Sequence, residues 1–361
     1  MIVSRRGLSA EAGRSRTATG DLYGRLVHPR RLPLTPEGVA MVAKTRLEEL
    51  DALGVAPGAL RSMRVLECGG SGRDALGWSL LGARHVSHVD LSEENPRNVR
   101  RYCAEHGIRN VESRQGDLLE LELPAGGFDI VRSRGVLHHL RDPALGLARF
   151  CSWTRPGGLL HFNAYRGGTF YYYGVKLIRE LVAAEDEEVV LAAIARLDLP
   201  DAEAGILLDD FFVPHMHTAS PEVVARDLAT AGLERLWPLR DWVEVDHGLL
   251  YPDMPEKIEH LEYWCRVKQP PADACALAAR LRYRAGVDDI ALARTQPDHA
   301  VSRAAFEEFR RAVARLEPGR RAEALIRVYS RHHYQIATVA MSAKERHRRL
   351  AEAFRSELAS A

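Results

Sequence analysis

Cysteine is sparse and unpatterned in this chain. Its 361 residues include five, at Cys68, Cys103, Cys151, Cys265 and Cys275, an odd number with no CxxC spacing. That speaks against a disulfide framework and a structural zinc site, and it predicts reduced thiols in a cytoplasmic protein. Long apolar runs are missing as well: no stretch reaches the ~18 residues that mark a membrane span. Excess charge of either sign is missing too. Fifty Lys and Arg stand against 49 Asp and Glu, a formal charge of +1, so no global field draws the chain to nucleic acid. Repeats and low-complexity tracts are absent. The start, Met1–Gly20, is arginine-rich but lacks the apolar stretch and cleavage site of a secretory signal. It reads as a frayed basic arm, with a transit peptide as the alternative. The high Ala, Arg and Leu content suggests a GC-rich bacterial genome.

What the chain does contain is concentrated between Arg64 and Gly158. Four segments fall there in order: VLECGGSGRDAL (Val65–Leu76), HVSHVDLS (His85–Ser92), QGDLLEL (Gln115–Leu121) and FDIVRSRGVLHHL (Phe128–Leu140). RPGG (Arg155–Gly158) closes the series. Each segment sits where a successive parallel strand would end, the edge at which open α/β sheets bind nucleotide-like ligands. Arg64–Glu67 is a short apolar strand ending in an acid, followed by Gly69, Gly70 and Gly72. Glycines there allow a tight turn and a close approach of ligand to main chain. About twenty residues later a second apolar run ends in Asp90, placed to accept hydrogen bonds from two ribose hydroxyls. This much does not separate a dinucleotide from another adenosine-containing ligand. Asp117 follows where a third strand ends, in position for an adenine edge, with helix capping as its alternative role. Asp142–Pro143 predicts a helix start, and Pro156–Gly157–Gly158 its end before a fifth strand, Leu159–Asn163.

The run FDIVRSRGVLHHLRDPALGLARFCSWTRPGGLL (Phe128–Leu160) strongly resembles the corresponding region of class I S-adenosylmethionine (SAM) dependent methyltransferases. The resemblance extends over Arg64–Tyr165, and more loosely over Ser220–Leu236. It implies a doubly wound, seven-stranded Rossmann-like α/β sheet with SAM across the strand tips. Carried over by residue, Glu67, Gly69, Gly70 and Gly72 hold the methionine and ribose parts. Asp90, with Leu91 beside it, takes the ribose hydroxyls, and Asp117 and Leu118 bracket the adenine. Ser133, Arg134 and Gly135 pass beside the sulfonium. The loop departs from the family pattern acid-x-Gly-x-Gly-x-Gly, since ECGGSG is one residue short. Either Glu67 is the loop acid in a tighter turn, the preferred reading, or Gly70–Ser71–Gly72 is in register and Cys68 replaces the first glycine. His138 and His139 invite a general-base reading, although the resemblance implies a mainly structural pair; His138 is kept as a substrate contact. Arg132 and Arg134 either steer an anionic substrate or are simply solvated.

Around this centre the expected organisation is an N-terminal helical cap (1–60), the SAM-binding domain (61–268) and a helical accessory region (269–361). Leu34–Gly54 reads as a helix capped by Thr35, with Tyr23 and His28 upstream as lid candidates. Residues 166–218 are too long for an ordinary connection and read as a helical insertion roofing the substrate. Tyr171, Tyr172, Tyr173, Asp209 and Asp210 are the substrate candidates there, and His215 and His217 the catalytic ones, able to orient or deprotonate a nucleophile. His215-x-His217 with Asp209 or Asp210 has the makings of a divalent-ion site. Hydrogen-bonded or capping roles outweigh that reading, and no metal is expected. The C-terminal helices either cap the active site or form a homodimer interface. Their basic strings Pro318–Arg321 and Arg346–Arg349 alternate with acids, as on a solvated face. The expected function is methyl transfer from SAM to an O, N or C nucleophile of a small metabolite, in specialised metabolism. A tRNA methyltransferase, or a non-catalytic SAM-binding protein with a protein partner, is the alternative.

Overall fold

The computed structural model describes residues 19–183, 185–237, 260–283, 287–295, 298–336 and 341–360. The expected basic arm lies outside these up to residue 18. The chain divides into two compact units. The first comprises Met1–Ala164, Val213–Trp242 and Leu261–Ala285, and the second Tyr165–Phe212, Val243–His260 and Gly286–Ala361.

In the first unit a π-helical turn, Leu22–Val27, runs into the short helix α1 (His28–Arg31). There follow α2 (Pro36–Ala52), β1 (Arg64–Cys68), α3 (Arg73–Leu80), β2 (His85–Asp90), α4 (Glu94–His106), β3 (Val111–Gln115) and β4 (Phe128–Ser133). Next come α5 (Pro143–Trp153), β5 (Thr154–Arg166), β6 (Thr218–Ala219), α6 (Pro221–Thr230), β7 (Leu233–Trp237), β8 (His260–Val267) and α7 (Ala274–Ala278). Helix starts follow local chemistry. The side chains of Thr35, Asp142 and Ser220 accept from the backbone N–H of Gly38, Leu145 and Val223, each just before a first-turn proline. β5 begins at Thr154, earlier than Leu159, because Phe128 of β4 already pairs with Thr154 across a local irregularity in register.

The sheet order is β3-β2-β1-β4-β5-β8-β7, with β6 paired to β5. Neighbours from β3 through β5 are parallel, and β7 and β8 are antiparallel. This is the expected seven-strand doubly wound sheet plus one two-residue strand. Side chains alternate between faces along each strand. Val65 of β1 therefore joins Leu50, Trp78, Ile130, Leu159 and Trp264 in one core, while Leu66 and Cys68 join Val131, Phe150, Phe162 and Cys265 in the other.

Toward the strand tips the first of these faces turns polar. Ser113, His88, Glu67, Arg132 and His161 occupy matched register positions on β3, β2, β1, β4 and β5, and all are buried. Arg132 Nη1 donates to Glu67 Oε1 and lies 2.7 Å from Asp74 Oδ1, while Trp78 Nε1 donates to Glu67 Oε2 (3.0 Å). His161 Nε2 lies 2.8 Å from Glu262 Oε1 of β8. Burial pushes His161 down to about 4, so its neutral ring donates to an ionised Glu262. Burial also pushes the Glu67 carboxyl up to about 7, outweighing the pull of Arg132. For Asp74 the balance reverses: burial raises its pKa, but Arg132 and Arg46 outweigh burial and hold it below the ordinary carboxylate value. Asp74 is therefore the lasting counter-charge of Arg132.

The second unit is helical in its described residues, apart from the ends of β5 and β8. The helical insertion expected over 166–218 begins with two helices, Phe170–Val182 and Glu187–Arg196. The break falls where Asp186 accepts from Glu188 N and starts a new helix with acids in its first turn. Helices Asp201–Phe212, Asp289–Ala293, His299–Val313, Pro318–Ser330 and Ala343–Ser360 complete it. Phe354 packs against Phe306 and Phe309 with ring centroids 5.6 and 5.2 Å away. Gly174 leaves room for the His332 ring, 2.2 Å from where a Cβ would stand.

Two outcomes test the polar row. Arg132→Met leaves the buried Glu67 without its cation and the half-buried Asp74 with only the more distant Arg46, and is expected to destabilise the fold by about 3 kcal/mol in urea unfolding. A carboxyl raised by folding stabilises fully below its unfolded value, here the ordinary 4.5, and loses that contribution as pH rises through the folded value of about 7. Stability measured from pH 4.5 to 7 should therefore fall more steeply in the wild type than in Glu67→Gln, by up to about 1.4 kcal/mol per pH unit.

Candidate cofactor site

The sheet order brings the carboxyl ends of β3, β2, β1 and β4 side by side, and the loops leaving them carry most residues singled out from the sequence. Gly69, Gly70 and Gly72 after β1 have φ of 80°, 89° and 85°, a backbone that glycine adopts without strain. Each is used differently. A Cβ on Gly69 would fall 2.5 Å from Val136 Cγ2, and one on Gly72 2.0 Å from Val99 Cγ2. A Cβ on Gly70, or on Gly135 (φ 71°) in the loop after β4, would meet nothing within 4 Å among the described residues. The loop is tied to the sheet by His88, whose Nε2 donates to Gly70 O (3.1 Å) while Nδ1 faces Ser113 Oγ (2.8 Å). Burial lowers the His88 pKa, in keeping with a neutral ring. Glu67 lies beneath the loop with both carboxylate oxygens engaged.

At the tip of β2, Asp90 Oδ1 accepts from Ser92 N (2.9 Å) and Asn95 Nδ2 (3.0 Å), and Oδ2 has no hydrogen bond among the described residues. Leu91 is half-buried beside it. Asp117 Oδ1 accepts from Leu119 N (2.8 Å), a capping bond, and Oδ2 accepts from Arg141 (3.1 Å), with Leu118 buried next to it. Ser133 Oγ, at the end of β4, is buried with no hydrogen-bond partner among the described residues. Gly135 N donates to Asn163 Oδ1 (2.7 Å), fixing the loop that carries the half-exposed Arg134.

The predicted histidines of the first unit also converge. His138 and His139 meet edge-on at 4.2 Å, and Tyr23 stands 5.5 Å from His139. His217 N donates to His138 O (2.9 Å), and His139 Nδ1 donates to His215 O (3.0 Å). Burial, then the neighbouring His215 and His139, pushes His217 down to about 4. The remaining candidates belong to the second unit. There Tyr171 and Tyr329 both donate to Asp210 Oδ2, at 2.5 and 2.6 Å, with His333 Nδ1 3.2 Å from the Tyr171 hydroxyl. Tyr172, Tyr173 and Asp209 are buried in the same unit. Among the described residues no group of three or more His, Cys, Asp or Glu is placed to hold a metal ion.

A family described as a methyltransferase domain matches residues 65–158. Residues 65–158 are a class I SAM-dependent methyltransferase domain. Over 108 residues the chain is 30% identical to a ubiquinone biosynthesis O-methyltransferase of Neisseria meningitidis, covering 29% of this chain and 44% of that one. Over 119 residues it is 35% identical to an arsenite methyltransferase of Aquipseudomonas alcaligenes, covering 30% and 34%. The chain thus spans less than half the length of these curated relatives. Among solved structures, magnesium protoporphyrin IX methyltransferase of Synechocystis aligns with TM-score 0.43 and 14% identity over 70% of this chain and 99% of that one.

The methyltransferase domain fits SAM on its own features. Among the described residues, Gly70 and Gly135 leave main chain open to close approach, Asp90 Oδ2 is an unused acceptor, and Ser133 Oγ is an orphaned polar atom at the strand tip. Sequence reasoning missed His88 and Asn95, which hold the loop and Asp90 from behind. A polar residue at an inward strand position was the available signal for His88. Two alanine substitutions should separate packing from binding. Gly72→Ala meets Val99 and is expected to lower stability by more than about 2 kcal/mol. Gly70→Ala carries only the cost of its backbone, about 1–2 kcal/mol, and should weaken SAM binding more than Gly72→Ala does when both are compared by thermal melting and calorimetry.

Proposed function

We propose that the chain transfers a methyl group from SAM to an oxygen, nitrogen or carbon nucleophile of a small-molecule metabolite. The observation that carries this reading is the open Oδ2 of Asp90 on the strand tip next to three positive-φ glycines. Bound SAM supplies a reactive sulfonium methyl, so the protein's part is to position and desolvate, worth up to ~7–11 kcal/mol when the reacting groups are well aligned. Asp90 accepts the ribose hydroxyls, Asp117 and Leu118 flank the adenine, and Ser133–Gly135 border the sulfonium end. The near-zero charge of the chain favours a small acceptor over nucleic acid.

His215 and His217 are the proposed groups that meet the nucleophile. His217 bonds to the Leu140 backbone, and its Nε2 has no hydrogen-bond partner among the described residues. With a pKa of about 4 the ring is uncharged at neutral pH, so it accepts a hydrogen bond and orients a nucleophile better than it retains a proton. In the second unit, Tyr171, Tyr172, Tyr173, Asp209 and Asp210 remain the proposed acceptor contacts, as does His138 in the first.

Calorimetric titration with SAM, S-adenosylhomocysteine and NAD tests the cofactor. Micromolar binding of the first two is expected, with a loss of at least about tenfold in Asp90→Ala and none for NAD. Binding of NAD alone, or of none of the three, would sink the methyltransferase reading.

A further inference from the structure

The N-terminal segment lies outside the 65–158 methyltransferase match, yet it reaches the ribose acid. Gly20 and Gly24 bring its backbone against the turn after β2: a Cβ on Gly20 would stand 3.2 Å from Leu91 O, and one on Gly24 2.8 Å from Ser92 Cβ. One turn further on, the buried His28 places its Nδ1 2.6 Å from Asn95 Nδ2. The same Asn95 nitrogen donates to Asp90 Oδ1 at 3.0 Å, and Asn95 and Asp90 are buried too.

The chemistry of this chain of three is restrictive. A carboxylate only accepts, so Asn95 must turn its NH2 and not its carbonyl toward Asp90. The second proton of that NH2 points to His28, whose Nδ1 must then be the acceptor. His28 is therefore neutral and carries its proton on Nε2. With one amide proton on each neighbour, Asn95 cannot rotate without breaking both bonds. Asp90 Oδ1 is held in place while Oδ2 is left for the ligand.

We infer that His28 is a positioning residue for ribose recognition, acting through Asn95 on Asp90, so that the N-terminal segment sets cofactor affinity. This rests on the reading of Asp90 as the ribose acceptor. His28 and Asn95 also line a cavity of about 240 Å³ together with Ser71, Asn98 and Tyr102. Removing the imidazole enlarges that space beside Asn95 and lets water compete for its second proton. Asp90 then loses its fixed orientation, though not its charge.

The test compares S-adenosylhomocysteine with its 2′-deoxy analogue by calorimetry in the full chain, with melting curves as the folding control. The wild type should prefer the ribose form. His28→Ala should bind it roughly 5- to 10-fold more weakly and lose most of that preference, the scale of one hydrogen bond. His28→Asn, whose Oδ1 stands near the position of the ring Nδ1, should restore both affinity and preference. Asn95→Ala should reproduce the defect from the other side. A merely structural role would weaken both ligands equally, so an unchanged preference in His28→Ala and Asn95→Ala overturns the inference. A His28→Asn variant that behaves like His28→Ala does so as well. Nitrogen-15 correlation spectra of the ligand-free protein give an independent reading: His28 as the neutral Nε2–H tautomer is expected, and an Nδ1–H or doubly protonated ring overturns it. Failure of the wild type to bind S-adenosylhomocysteine at all overturns the cofactor reading itself, and is distinct from binding without ribose preference.

Discussion

Arg132 is the fixed point of the first unit. It lies on a central strand, wholly buried, and its charge is unthinkable there without Asp74 and Glu67. Asp74 lies in the first turn of α3, just behind the glycine loop, and Glu67 lies one residue before the end of β1, just ahead of it. One guanidinium therefore ties together the two elements between which the loop must turn. A second tie comes from the side: His88 on β2 reaches the loop carbonyl at Gly70 while Ser113 on β3 holds its other nitrogen. The row of polar groups across the sheet is costly to bury and gives little net stability. Its consequence is placement: a glycine loop with few side chains of its own is held by groups underneath it.

The same logic recurs at the acids on the ligand edge. Asp90 and Asp117 each spend one oxygen on a backbone N–H close in sequence, the ordinary capping use of aspartate. Each then receives a side-chain donor that fixes the carboxylate plane, Asn95 for Asp90 and Arg141 for Asp117. Capping therefore does not compete with the proposed recognition role. The bond that caps the turn also aims the carboxylate. A neutral amide behind Asp90 leaves its charge undiminished, whereas a guanidinium on Asp117 offsets part of it.

The second unit is organised around a different buried carboxylate. Asp210 takes two tyrosine hydroxyls on one oxygen, with His333 alongside, and Arg179 donates to its main-chain carbonyl. Asp289 similarly gathers Lys176 and the Gly168 N–H. Helices that meet mostly through aromatic rings gain orientation from such points, because hydrogen bonds are directional and apolar packing is not.

Local chemistry was legible in the sequence. The glycine loop, the acids at the strand ends and the cap residues Thr35, Asp142 and Ser220 depend on neighbours within a few positions, so their spacing declares them. The order of the apolar runs and of the segments that follow them likewise declared an open α/β sheet. The distant partners of Glu67, Asn95 and Asp210 were not legible: Arg132 lies 65 positions from Glu67, His28 lies 67 from Asn95, and Tyr329 lies 119 from Asp210. Pairings of this kind are set by strand register, by the antiparallel β7–β8 pair at the sheet's edge, and by the return of the N-terminal segment onto β2. None of these leaves a periodic trace in the chain. Sequence alone determined which residues stand on the ligand edge; only the tertiary structure decided what holds them there, because a buried polar group takes whatever partner the fold brings within hydrogen-bond distance.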